Sequence, residues 1–207
     1  MIEHNHTNYG VRAVVAAFGI LCGLTGIIAG FFEVLQGNVA TNGFEVSYIG
    51  SNYAMADDFT YFAITIVQNF LVTGVLAIVI SSLVIVWSIK FVQGKYGTTI
   101  LLFLSITQML FGGGWVIDLA LIMCILSTRI DKPLNWWRSH LSEHLRLQLA
   151  KFFPISLVLY SILASTMLIL SIIGVNDIAL LRSMSPLAAL MFIPILLMIF
   201  GGLAQQI

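Results

Sequence analysis

Charged residues are scarce in this chain: only 9% of its 207 residues are Asp, Glu, Lys or Arg, whereas 59% are hydrophobic. A soluble domain carries about 25% charged residues, because water has to solvate its surface. Lipid removes that requirement, so the composition predicts an integral membrane protein in contact with a lipid bilayer. The formal net charge is zero, which gives no reason to expect a nucleic-acid partner.

Further absences bear on function. Cys22 and Cys124 lie in apolar segments without a C-x-x-C spacing, which is typical of free buried thiols. There is no G-x-S-x-G motif and no paired catalytic carboxylates, and the four histidines lie at a terminus or an interface. No catalytic residue, haem or other cofactor is predicted, and the chain is not expected to be an enzyme. The first ten residues lack Lys and Arg, so the first apolar segment is interpreted as a retained helix rather than a signal peptide.

The apolar segments predict one all-α transmembrane domain over residues 1–207. It is a polytopic helix bundle with four full spans, a short helical hairpin and one interfacial amphipathic helix. A polar loop over residues 33–60 contains a short predicted strand, "FEVSYIG". The four spans are residues 11–32, 61–89, 153–175 and 186–203, and the hairpin is residues 98–128.

Positive charges orient this bundle. Residues 33–62 contain no Lys or Arg, the turn at 90–95 contains two, and residues 129–151 contain five. The positive-inside rule places the long loop outside, and both basic segments and both termini in the cytoplasm. Residues 98–128 then begin and end on the same side, which one straight helix cannot do.

Three glycines, Gly112, Gly113 and Gly114, mark the turn of that hairpin. Each costs a helix about 1 kcal/mol relative to alanine. Arms of fourteen residues on either side reach only about 21 Å, less than a hydrocarbon core of about 30 Å. The stretch is therefore a re-entrant hairpin or two short spans, with one long helix as the remaining alternative. Asp118 follows the turn, either as a polar cap near the headgroups or as a functional carboxylate that faces a cavity.

Two groups of residues have a predicted role inside the bundle. Four glycines lie on one stripe of the first span and predict close helix packing, within the bundle or between subunits: Gly19, Gly23, Gly26 and Gly30. Five polar residues are predicted at similar depth near the outer surface, where they form either a ligand or ion site or a set of hydrogen bonds between helices: Asp118, Glu33, Gln68, Asn69 and Gln108.

Residues 133–151 place apolar and polar residues on opposite faces of a predicted amphipathic helix. We expect it at the inner membrane interface, where Trp136, Trp137 and Arg138 suit the headgroup layer. Within this segment "HLSEH" matches the H-x-x-E-H zinc motif at His140 and His144. A zinc site needs a third ligand, and no glutamate follows His144. We therefore predict no metal site.

The segments "GFFEVLQGNVATNG", "NFLVTGVLAIVI" and "FGGGWVIDLALIMCILSTRIDKPLNWWRSHL" resemble an uncharacterised group of small bacterial polytopic membrane proteins. The resemblance spans about half of the chain. It implies a bacterial cytoplasmic membrane and brings no activity or substrate with it.

Three functions compete on this evidence. The first is a non-catalytic membrane protein that is a subunit, an assembly partner or a self-associating protein, and the glycine stripe and short loops favour it. The second is a small transporter or channel component with an outward-facing polar site for a cation or small polar solute, which the broken hairpin favours. The third, an intramembrane enzyme, has no supporting motif. Copurifying partners, flux in liposomes and turnover would distinguish them.

Overall fold

Helices make up most of the part of the chain that the computed structural model describes, which is residues 9–41, 43–47, 62–114, 117–130, 140–173 and 178–205. Over these ranges the fold is all-α, as predicted, with six helices and one small two-stranded sheet. The helices are α1 (Tyr9–Leu35), α2 (Phe70–Val86, continued by a π-helical turn, Trp87–Phe91), α3 (Gly97–Leu110), α4 (Ile117–Ser127), α5 (Glu143–Ile173) and α6 (Ile178–Ala204). The strands β1 (Glu45–Ser47) and β2 (Phe62–Ile64) are antiparallel.

Three helices of the described chain are long and apolar enough to cross a membrane: Tyr9–Leu35, Phe70–Phe91 and Glu143–Ile169. Of the four predicted full spans, the last, residues 186–203, lies in α6. Its apolar part among the described residues, Ala189–Ala204, is shorter than a full span. Three membrane-length helices are thus what the structure supports.

Small residues bring α1 and α2 together. A Cβ added to Gly30 would lie 2.6 Å from the Gly74 carbonyl oxygen and 2.9 Å from Ala77 Cβ. A Cβ on Gly23 would lie 2.8 Å from the Ser81 carbonyl oxygen. The two backbones therefore approach more closely than any side chain at these glycines would permit.

The start of α2 differs from the prediction that a span begins at residue 61. Residues 62–64 form β2, and the helix begins only at Phe70. Asn69 ends the extended segment, because its φ is −154° and its side chain accepts a hydrogen bond from the amide of Val72 at 3.1 Å. An N-cap of this kind satisfies one of the free amides of the first turn, which defines where the helix starts. The strand predicted in the long loop is β1, and it pairs with β2.

The α3–α4 pair forms a helical hairpin with its open end towards the basic part of the chain. Thr98 in the first turn of α3 accepts a hydrogen bond at 2.9 Å from Ser127, the last residue of α4. Between the helices the chain leaves the helical path at the predicted glycines, and Gly112 and Gly114 have φ values of +83° and +80°. Such angles are open to glycine at little cost, which explains why the break falls here.

Helix α5 corrects the prediction of a separate interfacial helix. Residues 143–173 form one continuous helix through the predicted boundary at 151–153, and Trp136, Trp137 and Arg138 lie outside the described residues. Pro154 lies inside α5 and has no N–H to donate to the carbonyl of Ala150. The side-chain amide of Gln205 donates to that carbonyl instead, at 3.4 Å. This replacement bond explains how the helix passes the proline.

Most of the described basic residues collect at one end of the bundle, whereas Arg182 lies near the start of α6. Gly10 near the start of α1 contacts Gly202 near the end of α6. Arg12 donates to the carbonyl of Ile89 at 3.4 Å, within the π-helical turn that also contains Lys90. We call this the basic end. The opposite end, formed by the last turns of α1, the sheet and the break between α3 and α4, is called the hairpin end.

Candidate functional site

The hairpin end contains a buried polar site beneath the break between α3 and α4. Gly112 donates its amide to the carbonyl of Ile64 in β2 at 2.9 Å, and Gly113 donates to the carbonyl of Gln108 at 2.8 Å. The amide of Ile66 donates to the carbonyl of Leu110 at 3.0 Å. The sheet and the break are thus tied together by backbone hydrogen bonds, and together they cover the last turns of α1.

Glu33 lies directly beneath this cover. It was predicted at the outer surface, but α1 continues to Leu35 and Glu33 is 0% exposed. Neither carboxylate oxygen has a hydrogen-bond partner. A Cβ added to Gly112 would lie 2.5 Å from each of these two oxygens. The carboxyl group therefore packs on a glycine backbone that has no room for a larger residue.

Gln108 is the second fully buried polar side chain of the site. Its amide nitrogen donates to the carbonyl of Cys22 in α1 at 2.7 Å, and the carbonyl of Gly113 lies 3.5 Å away. Its amide oxygen has no partner. One side chain of α3 thus bonds both to α1 and to the break, so it couples the position of the break to α1.

Gln68 and Asn69 do not join Glu33 and Gln108, although all four were predicted at similar depth. Gln68 is exposed and precedes α2, where its carbonyl accepts from the amide of Thr41 at 3.4 Å. Asn69 caps α2 and donates from its side chain to Asn38 at 2.7 Å. Both residues are used in the turn that starts α2, because that helix begins later than predicted.

Asp118 lies in the first turn of α4, as the position after the break predicts. Its side chain is outside the described part of the structure. Its assignment as a cap or as a functional carboxylate stays a prediction.

Three buried hydroxyl groups of the site, on Ser81, Thr65 and Thr73, were not predicted. Ser81 of α2 is buried, and its hydroxyl oxygen has no hydrogen-bond partner. This oxygen and the side-chain nitrogen of Gln108 both lie against Gly26 of α1. Thr65 and Thr73 are both 0% exposed, and their hydroxyl oxygens lie 2.6 Å apart. Thr73, Ala77 and Ser81 recur at every fourth position of α2, which was the available signal, whereas nothing in the sequence pairs Thr73 with Thr65.

The four glycines of the predicted stripe all face inward. Gly19 contacts Ser88, Gly23 contacts Ile85, Gly26 contacts Ser81 and Gln108, and Gly30 contacts Gly74. Each of these contacts is made within the chain, chiefly with α2 and its π-helical turn. The described residues contain no group of three or more His, Cys, Asp or Glu side chains placed to hold a metal ion.

Comparisons with known protein families, with curated proteins and with solved structures give no match.

Proposed function

We propose that the protein is a non-catalytic, multi-pass protein of a bacterial cytoplasmic membrane, and that it self-associates through α5. The observation that carries this proposal is the outward face of that helix. Only 22% of the residues in its most apolar window are buried inside the chain, compared with 50% in α1. A helix so little covered by its own chain has a large surface available to other membrane helices.

That face of α5 has a shape suited to helix packing. Ser161 and Ser165 are exposed and lie four residues apart, one turn along the helix. Together with Leu157, Ile162 and Ile169 they line an open depression of about 510 Å³ on the surface of α5. The Ser161 hydroxyl donates to the carbonyl of Leu157 at 2.8 Å, so this polar group is already satisfied within the helix. Small residues at such positions let two backbones approach in lipid.

A second copy of α5 is the occupant that this face favours. The same helix carries the notch at Ser161 and Ser165 and the protruding side chains of Val158 and Ile162, which are 58% and 57% exposed. Two-fold symmetric interfaces require one patch to be complementary to itself, and a face with both a notch and a ridge meets that requirement.

The orientation that we propose places the basic end in the cytoplasm. Arg12, Lys90 and Lys95 belong to that end, and the positive-inside rule then places both termini there as well. The α3–α4 hairpin opens towards the same end, so it would enter from the cytoplasmic side and turn at the glycines. Its arms, Gly97–Leu110 and Ile117–Ser127, are 14 and 11 residues long, and helices of that length favour a re-entrant hairpin over two full spans.

Cysteine cross-linking in native membranes tests the self-association. We expect Ser161→Cys to form a disulfide-linked dimer, because two copies of the notch meet at the proposed interface. Phe103→Cys on α3, which is 68% exposed on another helix, is the matched control and should stay monomeric. Cys22 and Cys124 are buried and should not contribute. A monomer at both positions, together with a monomeric mass in nanodiscs, would contradict the proposal.

A transporter or channel component is the second candidate, and Glu33 is the observation that favours it. A carboxyl group buried at membrane depth without a partner is a common element of ion and proton pathways. The test is proton or sodium flux in proteoliposomes, compared between the native chain and Glu33→Gln. Equal leak in both, no greater than in protein-free liposomes, would exclude this candidate.

A further inference from the structure

The carboxyl group of Glu33 is unusual because it is buried in the bundle without a hydrogen-bond partner. It is 0% exposed, and neither oxygen has a hydrogen-bond partner. α2, its π-helical turn, α3 and β2 contain one titratable residue between them, Lys90, and that lysine is at the basic end. The break residues Phe111–Gly114 contain none. These elements therefore bring no charge to Glu33.

The remaining elements near α1 also have to be considered. β1 carries Glu45 and α4 carries Asp118, and both are acids that would disfavour a second negative charge nearby. α6 carries Arg182 near its beginning, as the single basic residue of that helix. The charged residues of α5 lie in its first turns. These turns are at the basic end, because Leu149 contacts Gly201 near the end of α6. Among the basic residues of the described ranges, Arg182 is thus the one whose pairing with Glu33 an experiment has to exclude.

A buried carboxyl group is stabilised by an ion pair, by several hydrogen bonds, by a metal ion or by a proton. The described side chains supply neither of the first two to Glu33. A hard cation such as Ca²⁺ needs six to eight oxygen ligands, and even a monovalent ion needs space among them. Both Glu33 oxygens instead lie against Gly112, where a Cβ would come within 2.5 Å. A proton is the ligand that needs no further space.

We propose that Glu33 is a membrane-buried proton-binding site, and that the bound proton holds the break between α3 and α4 against α1. In this state the side chain is a neutral carboxylic acid packed on Gly112. When the proton leaves to water at the hairpin end, the carboxylate and H⁺ are the only products, and the remaining negative charge has no partner in its pocket. The charge is accommodated when the break moves away from α1 and admits water.

The route for this movement is short. Glu33 lies two residues before the end of α1, and the chain then turns at Gly37, whose φ is +81°. Two backbone hydrogen bonds join the sheet to the break, from Gly112 to Ile64 and from Ile66 to Leu110, and the side chain of Gln108 links the break to α1. Local opening of such a cover leaves the α1–α2 contact intact, since the glycine contacts at Gly23 and Gly30 lie elsewhere on the helix. The proposal is independent of self-association through α5.

Infrared difference spectroscopy in liposomes tests the protonation directly. We expect the native chain at neutral pH to show the carbonyl band of an un-ionised carboxylic acid. Glu33→Gln should abolish the band, and Glu33→Asp, which keeps the carboxyl group, should retain it. Glu143→Gln, which changes an exposed glutamate, and Arg182→Gln should leave it unchanged. A missing band in the native chain, or a band that survives in Glu33→Gln, would overturn the proposal.

Two further measurements separate the proton from its competitors. Addition of sodium at constant pH should not change the band, and its loss would identify a cation as the ligand and refute the proposal. A band that appears only in Arg182→Gln would identify an ion pair with the same result.

Hydrogen exchange tests the coupling to the break. In the native chain the amides of residues 105–114 should exchange faster as pH rises, by an additional factor on the order of ten beyond the intrinsic chemistry, because the cover opens. Glu33→Gln should show only the intrinsic pH dependence, since its amide stays neutral. Equal pH dependence in both proteins would show that the proton does not control the break.

Discussion

The α1–α2 pair and the α5–α6 pair both have the composition of membrane helices, but their small residues face different ways. The glycines of α1 face its partner helix, whereas Ser161 and Ser165 of α5 face outward. The most apolar windows of α1 and α5 have mean hydropathies of 2.3 and 2.0. In α1 the stripe of glycines is buried, and the helix meets α2 backbone to backbone at Gly30 and Gly74. In α5 the small residues Ser161 and Ser165 face outward between large exposed side chains.

This difference shows that hydropathy identifies a membrane helix but not its inner face. In lipid there is no hydrophobic driving force between helices, so close packing and polar contacts decide which faces meet. The inner face of α1 carries Gly26 and Glu33, whereas its exposed face carries Ile20 and Leu24. Buried small and polar residues therefore mark the inner face of α1, where they lie beside large apolar side chains such as Phe18, which is also 0% exposed.

Leucine at Gly30 is expected to have the largest effect on the fold, because the obstacle is backbone and cannot rotate away. The Gly74 carbonyl oxygen lies 2.6 Å from where a Cβ would be placed, so α1 and α2 must separate. We expect Gly30→Leu to lower the free energy of unfolding by about 3 kcal/mol. Reversible unfolding in mixed detergent micelles measures it. Gly94→Ala is the control, since its nearest contact is 3.3 Å; equal losses in both would contradict the close-contact interpretation.

Leucine at Gln108 should have an intermediate effect. The substitution removes the bond to the Cys22 carbonyl at 2.7 Å and leaves that carbonyl without its side-chain donor, but it also removes an unpartnered oxygen. Because bonds between membrane helices contribute about 0.6 kcal/mol on average, we expect a loss of about 1 kcal/mol. Thr107→Val is the neighbouring control, because its hydroxyl bonds within its own helix to Phe103. A stabilised Gln108→Leu would show that the amide serves a ligand rather than the fold.

The substitution Thr73→Val tests how much the contact beside the small sheet contributes to the stability of the bundle. It removes the hydroxyl contact with Thr65 while keeping the shape of the side chain. The Thr65 hydroxyl still donates to the carbonyl of Val67 at 3.1 Å, so we expect a loss of only about 0.5 kcal/mol. Unfolding midpoints of Thr73→Val and of the exposed control Val72→Thr should differ by no more than this. A loss as large as that of Gly30→Leu would mean that β2 is essential to the bundle.

Leucine at Ser161 should have the smallest effect on the fold of the single chain, within about 0.5 kcal/mol, because the residue faces away from its own bundle. The same substitution should abolish the dimer, because it fills the notch. Unfolding and oligomer mass are measured on one preparation. A loss of stability as large as that expected for Gly30→Leu would show that Ser161, like the glycines of α1, is packed inside its own bundle.

Local chemistry explains which features were predictable. A run of three glycines has a consequence at its own position, so the break at 112–114 follows from the sequence alone. The spacing of four glycines on α1 indicates one crowded face for the same reason. The burial of Glu33 is not local, because it depends on a distant segment that folds over the end of α1. Asn69 was assigned to a helix interior because a cap and a polar helix residue look alike without a known helix start.

The bond from Gln205 to Ala150 has a consequence for the order in which this protein is made. The Ala150 carbonyl loses its usual donor at Pro154, and its substitute lies 55 residues further along the chain. A ribosome therefore delivers α5 to the membrane before the amide that completes it has been translated. Until α6 is threaded and its end returns beside α5, water or a lipid headgroup at the basic end has to solvate that carbonyl. The final seating of α5 thus follows the translation of Gln205, a residue that has no part in α5 itself.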